Sequence, residues 1–196
     1  MIASLHPIDE IHAMHFVAKS KLPRLARGYY QGCAAVFWTH TFEHRATGWL
    51  TEAFHQQFCT VLLHACARYQ LACPMYVLMP DHWHLVWLGI SDESDQLAAT
   101  TFLRRHARES LPSNARLQDR AHDHVLRNEE RKQSSFADTC TYVRENPVRA
   151  GLVTNSADWP YLGAMISGYP DIHPTNANFW EKFWKIYQRR ADAARA

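Results

Sequence analysis

Two apolar runs, Leu71 to Met79 and His82 to Leu88, flank the dipeptide Pro80-Asp81. Proline pre-sets φ and aspartate bonds its own backbone, so the dipeptide reads as a turn and the runs as a β-hairpin. The rest of the chain arranges itself around this antiparallel pair. Ala34 to Phe42, rich in aromatic and branched residues between Gly32 and Gly48, reads as an earlier strand. Between the two lies a helix: Phe54, Phe58, Val61, Leu62, Ala65 and Tyr69 recur at helical spacing after Thr51, a suitable N-cap. Asp95 can cap a second helix reaching about Ser110, with Leu97, Ala98, Thr101 and Phe102 inward and the arginines outward. Alternation over His122 to Leu126 predicts a fourth strand. Ser135 with Asp138 resembles a capping box for a third helix, expected to falter at Asn146 because Pro147 disfavours α geometry before it. The order β-α-β-β-α-β-α suits an α+β, ferredoxin-like antiparallel sheet with helices on one face and a further helix appended.

Three regions follow: an N-terminal arm over residues 1–30, the α+β domain over 31–155, and a C-terminal extension over 156–196. In the extension, Asn178 to Arg190 aligns Phe179, Phe183 and Tyr187, as an amphipathic helix docked on the core would. At 196 residues, one compact domain with extensions is the expectation. No apolar run approaches the roughly twenty residues that span a bilayer, and Met1 to Glu10 lacks a basic start, so a soluble, unprocessed, cytoplasmic chain is expected. Five cysteines without a C-x-x-C spacing fit free thiols in a reducing compartment. The formal charge of +2 does not by itself call for a polyanionic partner. Its distribution is uneven: Lys19, Lys21, Arg24 and Arg27, then Arg104, Arg105 and Arg108, then Lys182, Lys185, Arg189 and Arg190 form basic groups.

Chemistry-bearing residues concentrate in three places. In His82-Trp83-His84, strand alternation sends both imidazoles to one face and Trp83 to the other, so two rings can share a metal. His122-Asp123-His124 is a second such pair, and in a chain of 13 histidines either spacing also arises by chance. On the third helix, Tyr142 and Asn146 lie one above the other, on the shoulder of the stripe Phe136, Cys140 and Val143. By spacing alone that tyrosine reads by default as an edge-of-core residue with a wet hydroxyl.

Taken in order, Met79-Pro80-Asp81-His82-Trp83-His84-Leu85-Val86, His122-Asp123-His124-Val125-Leu126-Arg127 and Tyr142-Val143-Arg144-Glu145-Asn146-Pro147-Val148-Arg149-Ala150-Gly151-Leu152-Val153 resemble the REP-associated tyrosine transposases, of the single-tyrosine HUH superfamily. The likeness spans roughly Gly28 to Val153. It implies that His82 and His84 bind a divalent metal, Mg²⁺ or Mn²⁺, that Asn146 completes the shell, and that Tyr142 attacks DNA. Two imidazoles and an amide oxygen would leave about three octahedral positions open. The implied reaction nicks and rejoins single-stranded DNA at hairpin-forming repetitive palindromic elements through a 5′-phosphotyrosine, with a monomer favoured and a dimer the alternative. Arg144 and Arg149 beside the tyrosine, with His124, Arg104 and Arg105, are the expected DNA contacts. A second reading keeps the scaffold as a hairpin-DNA-binding protein without cleavage. A third makes it a small metal-dependent hydrolase that activates water.

Overall fold

Side chains along each strand alternate between two buried layers, and that alternation organises the molecule. The computed structural model describes residues 23–126 and 135–196. Strands β1 (Ala35–Thr41), β2 (Leu71–Met79), β3 (His82–Gly89), β4 (His122–Leu126) and β5 (Leu162–Ile166) form one sheet in the order β4-β1-β3-β2-β5. Every neighbouring pair is antiparallel. The first four strands with helices α1 (Glu52–Arg68) and α2 (Gln96–Glu109) reproduce the expected ferredoxin-like order. Helices α3 (Ser135–Arg149) and α4 (Phe179–Arg195) follow.

The two faces carry separate cores. Val36, Trp38, Trp83, Leu85, Trp87 and Leu78 pack with Phe58 and Leu62 of α1 and Ala99 and Leu103 of α2. On the other face Phe37, Met75, Val77 and Val86 meet Cys140 and Val143 of α3, while Ala35, Ala72, Leu88 and Ile166 meet Phe179 and Phe183 of α4. The expected caps form: Thr51 Oγ1 accepts from Phe54 N at 3.1 Å and Asp95 Oδ1 from Ala98 N at 3.0 Å. The Ser135 side chain of the expected capping box lies outside the described residues, as do Lys19, Lys21 and Arg127.

Four features add to or depart from the expectations. Strand β5, inside the expected C-terminal extension, pairs with β2 as the sheet's outer strand. Gly163 makes this possible: a Cβ there would sit 2.5 Å from the Tyr76 hydroxyl, so only glycine lets the backbone lie over that ring. Second, β2 accommodates Pro74 through register shifts against both neighbours, a bulge that absorbs the missing N–H. Third, α2 is rotated from the expected orientation. Ala99, Thr100, Leu103 and Ala107 face inward with Arg104, whose Nη2 donates to the main-chain oxygens of Gln118 and Asp119. A buried guanidinium needs such acceptors, and the segment before β4 supplies them. Fourth, α3 runs through Pro147 to Arg149. Proline removes one donor only, so near the helix end little is lost, and Ala150 and Leu152 close the turn on Asn146 O and Pro147 O at 2.9 Å each. Of the expected N-terminal arm, the described part is exposed over residues 23–29 and is tied to the domain by Tyr30, which is fully buried, and by Arg24, which donates to Asp123 at 3.0 Å.

His40, on the α1/α2 face, is wholly buried and stacked on Trp83 with ring centroids 5.2 Å apart. Arg104 has only donors to offer, so its Nη1 contact at 3.3 Å leaves the His40 proton on Nε2, which has no partner. Burial, with the nearby Arg104 charge, holds this imidazole neutral far below its usual range. In the unfolded chain it takes a proton below about pH 6.5. Stability present above that pH is therefore lost as pH falls through it, by up to about 1.4 kcal/mol per pH unit for each such group. Thermal melting should show a lower midpoint at pH 5.5 than at pH 7.5. His40→Asn should flatten that difference, and an unchanged pH dependence in this variant would contradict the assignment.

Candidate active site

Strand β3 enters the sheet with Trp83 fully buried in the α1/α2 core, so His82 and His84 emerge together on the α3 face. Their neighbours are set by register. His84 lies across from Thr39 of β1, and Thr39 lies across from His122 of β4. The two Nε2 atoms are 3.0 Å apart. Asp81 Oδ1 accepts from His82 Nδ1 at 2.6 Å, and its Oδ2 accepts from Arg45 Nη1 at 2.9 Å. Thr39 Oγ1 is 2.8 Å from His84 Nδ1.

Both rings are neutral at physiological pH. Burial drives the His84 imidazole well below its usual range, with the neighbouring His82 adding to the effect. Burial also lowers His82, against the opposing pull of Asp81. Burial would raise the Asp81 carboxyl, but its bonds and charge interactions with His82 and Arg45 prevail and hold it below the ordinary carboxylate range.

The hydrogen bonds fix where the protons sit. A carboxylate only accepts, so His82 carries its proton on Nδ1 and has a bare Nε2. The Nε2–Nε2 contact then requires His84 to donate from Nε2, while the Thr39 hydroxyl donates to His84 Nδ1. Both Nε2 lone pairs can turn to a shared cation if the His84 proton moves to Nδ1 and donates to Thr39 Oγ1. A hydroxyl serves in either direction, so Thr39 supports both tautomers. The donor set suits a divalent ion: two adjacent ligands at right angles, each about 2.1 Å from it, stand about 3 Å apart. Among the described residues no third His, Cys, Asp or Glu completes a metal group. A further protein donor must be of another kind.

Helix α3 brings the tyrosine to this pair. Cys140 and Val143 are buried against the sheet, which leaves Tyr142 half-buried at the edge. Its ring centroid is 6.0 Å from that of His84 and 6.1 Å from that of Phe37, both edge-on. One turn on, Asn146 donates from Nδ2 to Tyr142 O at 2.7 Å, leaving Oδ1 without a protein partner among the described residues. The Arg149 guanidinium lies 5.1 Å from the centre of the Tyr142 ring. Arg144 is occupied differently: its Nε donates to Glu145 Oε1 at 2.8 Å, an oxygen that also accepts from Ser156 at 3.0 Å.

The remaining sequence candidates divide between the faces. His124 lies across from Phe37 on the histidine face, whereas Asp123 points the other way to Arg24 and Tyr30. Arg104 is buried on the opposite face, and Arg105 is exposed on α2. Sequence reasoning missed Thr39, Arg45 and the bonding role of Asp81. Asp81 adjoins His82 and was open to notice, but Thr39 is legible only once the β1–β3 register is known.

Long-range ¹⁵N–¹H correlation spectra of the metal-free protein should show His82 protonated at Nδ1 and His84 at Nε2. Asp81→Ala should release His82 from that tautomer. An Nε2-protonated His82 in the parent protein would overturn the proton placement.

No family model matches the chain. It is 23% identical over 152 residues to a Haemophilus influenzae protein named as a REP-associated tyrosine transposase, covering 70% of this chain and 84% of the relative. Among solved structures, it superposes on a REP-associated tyrosine transposase bound to a REP hairpin with a TM-score of 0.59 at 20% identity, over 72% of this chain and 82% of that one. The structural likeness establishes the mixed α+β fold with its five-stranded antiparallel sheet, and the chain is similar in sequence and fold to DNA transposases of this kind.

Proposed function

We propose that this chain is a single-stranded DNA transposase that nicks and rejoins DNA at hairpin-forming repeats through a 5′-phosphotyrosine on Tyr142. The observation that carries the reading is the tyrosine ring held 6.0 Å from the ring of His84, beside two neutral imidazoles with converging Nε2 atoms. The likeness to REP-associated transposases supports the same chemistry and the hairpin partner.

In this reading the Tyr142 oxygen attacks the scissile phosphorus, the P–O3′ bond breaks, and the departing oxygen takes a proton to become a free 3′-OH. Rejoining reverses the exchange: a 3′-OH attacks the phosphotyrosine and tyrosine leaves. One phosphodiester replaces another, so no nucleotide energy source is consumed. His82 and His84 would hold Mg²⁺ or Mn²⁺, with the Asn146 oxygen as the third protein donor. A bound divalent ion supplies polarisation of the scissile phosphate and stabilisation of the leaving oxygen. Arg149, exposed and beside the tyrosine ring, is placed to meet a phosphate oxygen, while Arg144 is tied to Glu145. His124, on the same sheet face, is a further candidate contact.

Hairpin DNA incubated with Mg²⁺ or Mn²⁺ should yield an adduct that survives denaturing electrophoresis. Tyr142→Phe should abolish it, and His82→Ala or His84→Ala should lower its rate by about 10²-fold or more. Cutting by Tyr142→Phe at the parental rate would sink the covalent mechanism and point to water activation. Hairpin binding that survives chelation, with no adduct under any metal condition, would leave a DNA-binding role only.

Thr39 gives an independent check of metal use. Thr39→Val leaves a Nδ1–H on His84 without an acceptor and should weaken Mn²⁺ binding about 10- to 100-fold by calorimetry, whereas Thr39→Ser should retain it. Equal affinity in parent and valine variant would refute the tautomer exchange.

A further inference from the structure

The face of the molecule remote from Tyr142 holds a feature that the proposed reaction does not use. Between the end of α1 and the outer side of α2 runs a shallow groove of about 540 Å³. Arg27, Arg68, Arg105 and His106 line it together with Tyr69 and Phe102, and no carboxylate does. The aromatic rings stand edge to face with centroids 6.0 Å apart, and the Arg68 guanidinium lies 5.8 Å from the Tyr69 centroid and 6.0 Å from that of Phe102. Arg27 is paired with Asp95, and His106 with Glu109 at 3.3 Å. Arg68 and Arg105 have no ion-pair partner among the described residues and are exposed. Two uncompensated guanidinium groups beside an aromatic platform are what a single nucleic-acid strand requires: charge for the phosphates, and flat surfaces on which bases stack.

We infer that the groove between α1 and α2 is a second DNA site, which holds an unpaired strand flanking the hairpin, with phosphates at Arg68 and Arg105 and a base against Phe102 and Tyr69. It rests on the DNA-processing reading above and adds a place for the substrate outside the chemistry. The groove opens on the α1/α2 side of the sheet and the histidines on the α3 side, so a strand in the groove passes round the sheet edge and is not itself the one being cut. The rotation of α2 is what exposes this surface. With Ala99, Leu103 and Arg104 turned inward, Thr101, Phe102 and Arg105 are left along the groove.

The test is fluorescence anisotropy in EDTA, with a labelled hairpin carrying single-stranded flanks of about 12 nucleotides and the same hairpin without flanks, titrated across NaCl concentrations. The flanked probe should bind tighter. Arg68→Gln/Arg105→Gln should remove that advantage and flatten the salt dependence by about 1.4 in log–log slope, the share of two single-strand phosphates. Phe102→Leu keeps an apolar side chain but no aromatic plane and should weaken the flanked probe by about 5- to 100-fold. Melting curves check that these variants are folded. The inference falls if the flanked probe binds no tighter, or if folded variants keep the parental affinity and slope. It falls likewise if they lose only binding of an acidic polypeptide, which would make the groove a protein-docking surface. Failure of the parent protein to bind either probe would instead refute the DNA-processing reading itself.

Discussion

Burial of Trp83, Leu85 and Trp87 on one face of β3 is the constraint on which the site depends. All three are fully excluded from solvent in the α1/α2 core. Each is worth roughly 2 kcal/mol or more relative to exposure. A one-residue slip of β3 would turn all three out of that core and drive His82 and His84 into it, a loss of several kcal/mol against a typical total stability of about 5–15 kcal/mol. The register is therefore fixed by residues with no part in the chemistry. Their burial places Thr39 opposite His84, and that pairing supplies the hydroxyl that supports either tautomer.

The same residue types take opposite roles on the two faces. His40 and Arg104 are sealed within the α1/α2 core, where the guanidinium finds main-chain oxygens and the imidazole has one nitrogen without a partner. His82 and His84 are nearly as enclosed but present their ring nitrogens to each other, with Asp81 and Thr39 holding the remaining ring atoms. Burial keeps all three imidazoles neutral, and only the second pair turns that neutrality into two convergent lone pairs. What distinguishes a structural histidine from a candidate ligand here is the orientation of the second nitrogen.

Much of this was legible because it follows from periodicity. Alternation gave the strands and the common face of His82 and His84, helical spacing gave α1 and α3, and Thr51 and Asp95 announced their caps. What escaped depends on tertiary partners. Arg104 reads as a surface arginine until the chain before β4 presents carbonyls to it. Strand β5 is short and contains Gly163, a residue that weakens strands, and its reason is the Tyr76 ring below it. Pro147 signals a helix end, yet its lost donor falls in a terminal turn that later residues close. Tyr142 lay between core and surface by spacing, and its place beside His84 needed the packing of α3 to decide it.

That packing also bears on how a cut-and-rejoin reaction stays reversible. Between cleavage and rejoining in the proposed reaction, the phosphotyrosine must remain where a 3′-OH can reach it, so the helix that carries Tyr142 cannot drift. Helix α3 is fastened at three levels. Near its start, Phe136 packs against Trp180 and Trp184 of α4, with centroids 6.0 and 5.6 Å away. In the middle, Cys140 and Val143 are fully buried against the sheet. Toward its end, Glu145 accepts from Ser156 in the segment leading to β5. The tyrosine sits between the two residues of the second anchor, with the third three residues further on, so the backbone that carries it is held from both sides. Helix α4 and strand β5 stand outside the four-stranded core, yet they supply or support two of those three anchors. The C-terminal segment belongs to the geometry of the candidate site as much as to the stability of the fold.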